Sequence, residues 1–183
     1  MMSLRFGLRV FCYYWAMSNL FLIAITGPTG SGKSSTAQLL AEQVDSCVNI
    51  DVDLVKHFIV SGFRYEEATG VDQWELLGKN LGMLAANFHR ENYNVIVNGY
   101  LREQAWMEIE KYVTFTHTFL LLPALETTKE RNSGRDLKDQ MDENSVLQHY
   151  AFFSNHKYYK NFTMIDSSNQ SVNQTVEYIK SKL

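Results

Sequence analysis

Gly27, Gly32, Lys33 and Ser34 stand in the spacing G-x-x-x-x-G-K-S, within the stretch Gly27-Pro28-Thr29-Gly30-Ser31-Gly32-Lys33-Ser34-Ser35. Chemistry on a polyphosphate requires those types at that spacing. Glycines let successive backbone N–H groups turn inward and form a nest for anions. The helix that opens at Lys33 points its unpaired N–H groups and the positive end of its dipole at the same oxygens. Lys33 adds a point charge for the β- and γ-phosphates, and the Ser34 hydroxyl is placed to ligate Mg²⁺. Gly27 to Ser35 are therefore candidate nucleotide-binding residues, with Ser34 the candidate metal ligand. The spacing does not fit the dinucleotide pattern G-x-G-x-x-G.

Two further clusters carry charge in a useful pattern. Asp51 and Asp53 lie two apart on an extended segment, so both carboxylates point to one side. An ionised carboxylate there can orient a hydroxyl and accept its proton, whereas the simpler role is to cap the following helix. Arg131 and Arg135 lie four apart and share a helix face. Two guanidiniums on one face repel unless an anion lies between them. The simpler reading is a solvated surface balanced by Glu130 and Asp136. His57, His89, His117, His149 and His156 show no ligand spacing with cysteine or carboxylates, and no zinc site is expected.

The elements that must hold these residues alternate along the chain. Residues 20–26 form a continuous apolar run, as in a strand buried on both faces. Ala37, Leu40, Ala41 and Val44 then recur at helical spacing. A short strand at 48–50 leads into a helix with Leu54, Phe58 and Ile59 inward, stopped by Ser61-Gly62. Asp72 and Glu75 resemble a capping box for a helix whose stripe is Trp74, Leu77, Leu81, Leu84, Ala85 and Phe88. Strands follow at 95–97, 116–122 and 162–165. The intervening helices turn Ala105, Ile109 and Tyr112 inward, then Val146, Tyr150 and Phe153. Residues 126–142 are polar and read as a mobile segment. Ser171 and Gln174 form a second capping box before a last helix with Val172, Val176, Ile179 and Leu183 inward. The alternation gives an α/β protein with a five-stranded parallel sheet covered on both faces, and ligands at the carboxyl ends of its strands.

The chain has 183 residues, of which 45% are hydrophobic and 20% charged, which suits one globular domain. A formal net charge of −3 argues against a broad basic face for nucleic acid. No apolar run approaches a membrane span. Cys12 and Cys47 form no metal or redox spacing, and a reducing, cytoplasmic setting is expected. Residues 1–16 interleave Arg5 and Arg9 with aromatic side chains. They read as an extension upstream of a start at Met17, leaving residues 17–183 as the domain.

With the phosphate loop, Asp53, Arg131 and Arg135 in view, residues 18–183 resemble the small P-loop kinases of the gluconate kinase, shikimate kinase and chloramphenicol phosphotransferase type. The resemblance implies a three-layer P-loop NTPase fold like that of the nucleoside monophosphate kinases. It further implies transfer of the γ-phosphoryl group of ATP, with Mg²⁺, to a hydroxyl of a small molecule: a sugar acid, a nucleoside or nucleotide, or a drug-like alcohol. On that pattern Asp53 is the acceptor-site carboxylate, ahead of Asp51. Arg131 and Arg135 belong to a lid at about 126–142. Arg64 and Arg102 fall in acceptor-binding regions, and Asn169 lies near the adenine. One departure stands out: Asn98 occupies the place where many relatives carry an acidic residue that holds Mg²⁺ through water. That substitution supports the competing expectation, a nucleotide-binding regulatory module or weak ATPase with no small-molecule acceptor. The identity of the acceptor and the oligomeric state are not encoded in these motifs.

Overall fold

Alternation within each strand sorts the core into two layers. In β1 (Leu22–Thr26) every residue is buried, and successive side chains point to opposite faces. Leu22 and Ala24 join Val95 and Val97 of β3 (Asn94–Asn98) on one side of the sheet. Ile23 and Ile25 join Ile96, Phe119 and Ile165 on the other. The computed structural model describes residues 20–64, 72–155 and 157–183. The expected extension at 1–16, the start at Met17 and His156 lie outside the described residues.

The sheet runs β2-β3-β1-β4-β5, with every pair parallel. Strand β2 spans Cys47–Asp51, β4 spans His117–Leu121 and β5 spans Thr163–Ile165. One face is covered by α1 (Lys33–Glu42) and α7 (Val172–Lys180), through Ala37, Leu40, Val176 and Ile179. The other carries α2 (Val52–Lys56), α3 (Gln73–Arg90), α4 (Glu103–Ile109) and α6 (Glu143–Asn155). Helix α5 (Leu125–Ser133) follows β4 and leads through a 3₁₀ turn at Leu137–Asp139 into α6. The expected three-layer α/β architecture is thus observed. β1 lies at the centre, with β2 and β3 on one side and β4 and β5 on the other, so the ends of β1 and its neighbours form the switch point where such sheets bind ligands.

Of the two expected capping boxes, Ser171–Gln174 forms in full, while at Asp72 only the cap side chain bonds and Glu75 does not reach back. Asp72 accepts from the Trp74 and Glu75 backbone N–H groups at 2.8 and 3.3 Å. Ser171 and Gln174 complete a reciprocal capping box on α7.

Several inward positions differ from expectation. The helix after β2 is one turn long and buries Val52 and Val55, leaving Leu54 64% and Phe58 75% exposed. The helix starts directly after the Asp51 cap and ends at Lys56, before Phe58, and its buried face, Val52, Val55 and Lys56 with Ile59 half-buried beyond it, lies one residue later than the Leu54–Phe58 stripe. Tyr112, Val172 and Leu183 are exposed, all at or beyond helix ends. Tyr150 is only half-buried. The first part of 126–142 is helical: α5 anchors itself by burying Thr128 and Asn132.

Candidate active site

The phosphate loop leaves β1 and closes on itself through the Ser31 N–H to the Pro28 carbonyl at 3.2 Å. Two of its glycines are sterically required. Gly27, at φ 153°, leaves no room for a Cβ beside the Leu121 carbonyl oxygen. Gly30, at φ 79°, would place a Cβ 2.7 Å from the Thr128 carbonyl oxygen of α5. Gly32, in the left-handed conformation, starts α1 with no side-chain cap and no acidic residue in the first turn. The helix N-terminus is therefore left open to an anion.

Lys33 is half-buried, and its ammonium donates to the Pro28 carbonyl at 3.4 Å. Burial pulls its pKa down, with Asp53 and Asp51 opposing and Arg135 and Lys56 reinforcing the effect. The Lys33 charge thus feels Asp53 and Arg135 with opposite sign. The Ser31 hydroxyl is buried with no hydrogen-bond partner, an orphaned donor inside the loop that suits an oxyanion. Ser34 and Ser35 are exposed in the first turn of α1.

A cavity of about 360 Å³ opens over this turn, walled by Gly30 to Thr36, by Arg131 and Arg135, and by Ser167, Gln170, Ser171, Val172 and Thr175. Arg131 donates to the Ser167 and Ser168 carbonyls at 2.8 and 3.4 Å, and the Ser167 hydroxyl donates to the Ser31 carbonyl at 3.2 Å. The turn after β5 is thereby tied both to α5 and to the phosphate loop. Arg135 is exposed, and its guanidinium donates to the Asp139 carbonyl at 3.2 Å. The loop that carries it is clamped at its base, because the Asn132 amide exchanges two hydrogen bonds with the Met141 backbone, at 2.8 and 3.1 Å.

On the other side of Lys33 the two aspartates divide their roles. Asp51 is the helix cap, accepting from the Asp53 N–H at 2.8 Å. Asp53 pairs with the Lys56 ammonium at 2.9 Å and keeps its side chain 58% exposed. Burial pushes the Asp53 carboxyl up, but Lys56, by charge and hydrogen bond, with Lys33 and His57, outweighs it and holds the pKa below the ordinary aspartate value. Around this pair stand residues that no local pattern marked. Tyr100 stacks on His149 at 4.9 Å between ring centroids and 6° between planes, and the His149 ring reaches the Thr29 hydroxyl at 3.4 Å. Burial, then the charges of Lys33, Lys56 and Arg102, lower the His149 pKa, so at neutral pH the ring is uncharged.

The other expected residues are placed as follows. The Arg102 guanidinium lies 5.2 Å from the Trp74 ring. Arg64 is exposed next to residues 65–71, which lie outside the described residues, and its backbone N–H donates to Gln73. Asn169 is exposed in the turn before α7, and its neighbours Ser167, Gln170 and Ser171 line the cavity in its place. Asn98 is fully buried at the end of β3, donating to Asn49 at 2.6 Å, and its amide oxygen has no partner. Among the described residues no helix is long and apolar enough to cross a membrane.

No protein-family model matches the chain, and no characterised protein matches it by sequence. Solved structures do match it in fold. A sugar kinase from a Janibacter species is 16% identical, with a TM-score of 0.67 over 89% of this chain and 94% of that one. The tunicamycin resistance protein of Deinococcus radiodurans is 18% identical, with a TM-score of 0.66 over 90% and 95% of the two chains. A gluconokinase from Sinorhizobium meliloti is 17% identical, with a TM-score of 0.62 over 87% and 90%. The chain therefore has the fold of the small P-loop kinases along nearly its whole described length.

Proposed function

We propose that this protein is an ATP-dependent phosphotransferase that moves the γ-phosphoryl group to a hydroxyl of a small molecule. The observation that carries the reading is the cavity over the open start of α1, lined by Lys33, Arg131 and Arg135, on the same carboxyl edge of the sheet as Asp51 and Asp53. A phosphoryl group leaving the phosphate loop would pass between a cationic wall and an acceptor carboxylate.

Each residue then has a physical task. The loop amides and Lys33 neutralise charge on the β- and γ-phosphates, and Arg131 from α5 and Arg135 from the loop after it, two residues past the helix end and so not on a shared helix face, close over the nucleotide. Ser34 would hold Mg²⁺, and the unpartnered amide oxygen of Asn98 suits a hydrogen bond from metal-bound water. When bound, the metal supplies charge neutralisation between the phosphates. Asp53, ionised at neutral pH, orients the acceptor hydroxyl and takes its proton as the new P–O bond forms. His149 stays neutral and, through Thr29 and Tyr100, bridges the phosphate loop to the acceptor side. Arg64 and Arg102 flank that side and bear on which acceptor fits.

The test is ADP release from ATP and Mg²⁺ across sugars, sugar acids, nucleosides, nucleotides and drug-like alcohols. At least one acceptor should raise turnover well above the acceptor-free rate. Asp53→Asn should lower that kcat by about a hundredfold, the scale of general-base loss, with ATP affinity nearly unchanged. Tight ATP binding with no acceptor-dependent turnover would support the regulatory-module reading instead.

A further inference from the structure

Lys56 is the most buried basic side chain on the acceptor side, 5% exposed on a one-turn helix that otherwise faces solvent at Asp53 and Leu54. An ammonium removed from water is costly unless opposite charge and polarisable groups replace the water. Both are present. Asp53 lies 2.9 Å from Nζ, and among the described residues three aromatic rings surround it, with centroids 5.8 Å away at Phe63, 5.1 Å at Trp74 and 5.7 Å at Tyr100. The rings brace one another edge-to-face, Phe63 on Trp74 at 5.0 Å and Trp74 on Tyr100 at 5.7 Å. They come from three places in the chain: the loop after α2, the first turn of α3 and the segment after β3. A cation held by these rings and this carboxylate has little rotamer freedom left.

We propose that Lys56 is a positioning residue for Asp53: the aromatic box fixes the ammonium, and the ammonium fixes the carboxylate at the point where an acceptor hydroxyl would bind. A side chain 58% exposed would otherwise sample several rotamers. A general base must stay within hydrogen-bond reach of the proton it takes. The pair also carries charge information. Asp53 is faced by Lys56 and His57 from its own helix, by Lys33 from α1 and by His149 from α6. Of the opposing charges Lys56 has the largest effect, so its loss should let burial raise the carboxyl.

The inference rests on the phosphotransferase reading for its kinetic arm only; the second arm reads the carboxylate directly. The variants are Lys56→Met, which keeps length and apolar contact with the rings, and Lys56→Arg, which keeps the charge. Carbon-13 NMR of the Asp53 carboxyl should show its titration midpoint rising by about one pH unit in the Met variant, the scale of losing one adjacent opposite charge. The Arg variant should stay near wild type. With the acceptor found above, the acid limb of kcat against pH should move upward by the same amount in Lys56→Met, kcat falling about tenfold at pH values below the wild-type midpoint while KM for ATP stays within about twofold. A midpoint that does not move in folded Lys56→Met overturns the proposal, as does an Arg variant that behaves like Met. If Lys56→Met does not fold, the same titration in Lys56→Gln, which keeps a donor without charge, decides. Should no acceptor support turnover in the wild type, the phosphotransferase reading fails, while the NMR midpoint still accepts or rejects the Lys56–Asp53 coupling.

Discussion

Gly30 and Gly32 both have left-handed backbone, at φ 79° and 88°, and both lie in the phosphate loop, yet their surroundings differ. Around Gly32 a Cβ would meet nothing within 4 Å; at Gly30 it would lie 2.7 Å from the Thr128 carbonyl and 3.6 Å from the Arg131 Cβ. Gly32→Ala therefore carries only the conformational cost of an L-residue in that region, about 1–2 kcal/mol. Gly30→Ala carries the same cost plus the overlap with α5, typically about 1–3 kcal/mol more. Thr128 cannot simply yield, because it is fully buried and its hydroxyl is bonded to the Ala124 carbonyl at 3.1 Å. At about 2–4 °C per kcal/mol for a chain of this size, Gly30→Ala should melt roughly 5 °C below Gly32→Ala. Circular dichroism melts of the nucleotide-free proteins measure this, which keeps phosphate binding out of the comparison. Because α5 must move to admit the methyl group, Gly30→Ala should also displace Arg131 and weaken ATP binding in calorimetry. Equal melting points for the two variants would refute the argument that α5 is seated on the loop.

The remaining expectations concern the arginines, the loop clamp, a cap and one carboxylate. Arg131→Ala should lower both melting temperature and ATP affinity, since it removes the bonds to Ser167 and Ser168. Arg135→Ala should leave melting nearly unchanged and lower turnover alone; calorimetry and ADP release separate the two, and identical behaviour would refute the division of roles. Asn132→Ala, which opens the clamp on Met141, should speed hydrogen exchange across 133–141 without raising it in α7, as mass spectrometry can check. Ser171→Ala should cost about 1 kcal/mol by loss of the capping box and lower the melting point by about 2–4 °C. Because the folded Asp53 carboxyl titrates below its ordinary value, its contribution to stability is present above about pH 4, the unfolded aspartate range, and is lost as pH falls through the lower folded value. Urea melts of wild type and Asp53→Asn should therefore differ at pH 6 and converge as the pH falls below that range.

Much of this fold is legible in the sequence because its signals are local. The run 21–25 and the run 95–97 are apolar on every residue, which only a sheet covered on both faces requires. Gly-Lys-Ser after such a run leaves little freedom for the turn between them. The short helix after β2 was mis-phased because one turn carries too few residues for a period to be read. The acceptor side was hidden for another reason. His149 meets Thr29 across 120 positions, and Tyr100 meets Lys56 across the whole β2-to-β3 crossover. Lys56 itself sits in Val52-Asp53-Leu54-Val55-Lys56, where its charge gives no hint of burial. What could have raised it is the density of aromatics nearby, at Phe63, Trp74 and Tyr100, since a cluster of rings at the carboxyl ends of the strands commonly has a polar tip within it.

Asn98 is the point at which the charge pattern of the site can be weighed as a whole. The residue is completely buried, its side chain engaged by Asn49 on the edge strand. A carboxylate there would lose its water and would need a cation or several donors at all times, nucleotide present or not. An amide makes no such demand, so the strand end stays neutral when the site is empty and still offers one acceptor oxygen when a hydrated cation arrives. The cost is attraction: an amide dipole holds a divalent ion's water shell far less strongly than a full charge. The carboxylates that most offset the Lys33 charge are then Asp53 and Asp51, already tied to Lys56 and to the cap of α2. Metal affinity in this chain should accordingly depend on the nucleotide phosphates more than on protein carboxylates, and Mg²⁺ titrated without nucleotide should leave the Asp53 NMR signal unmoved.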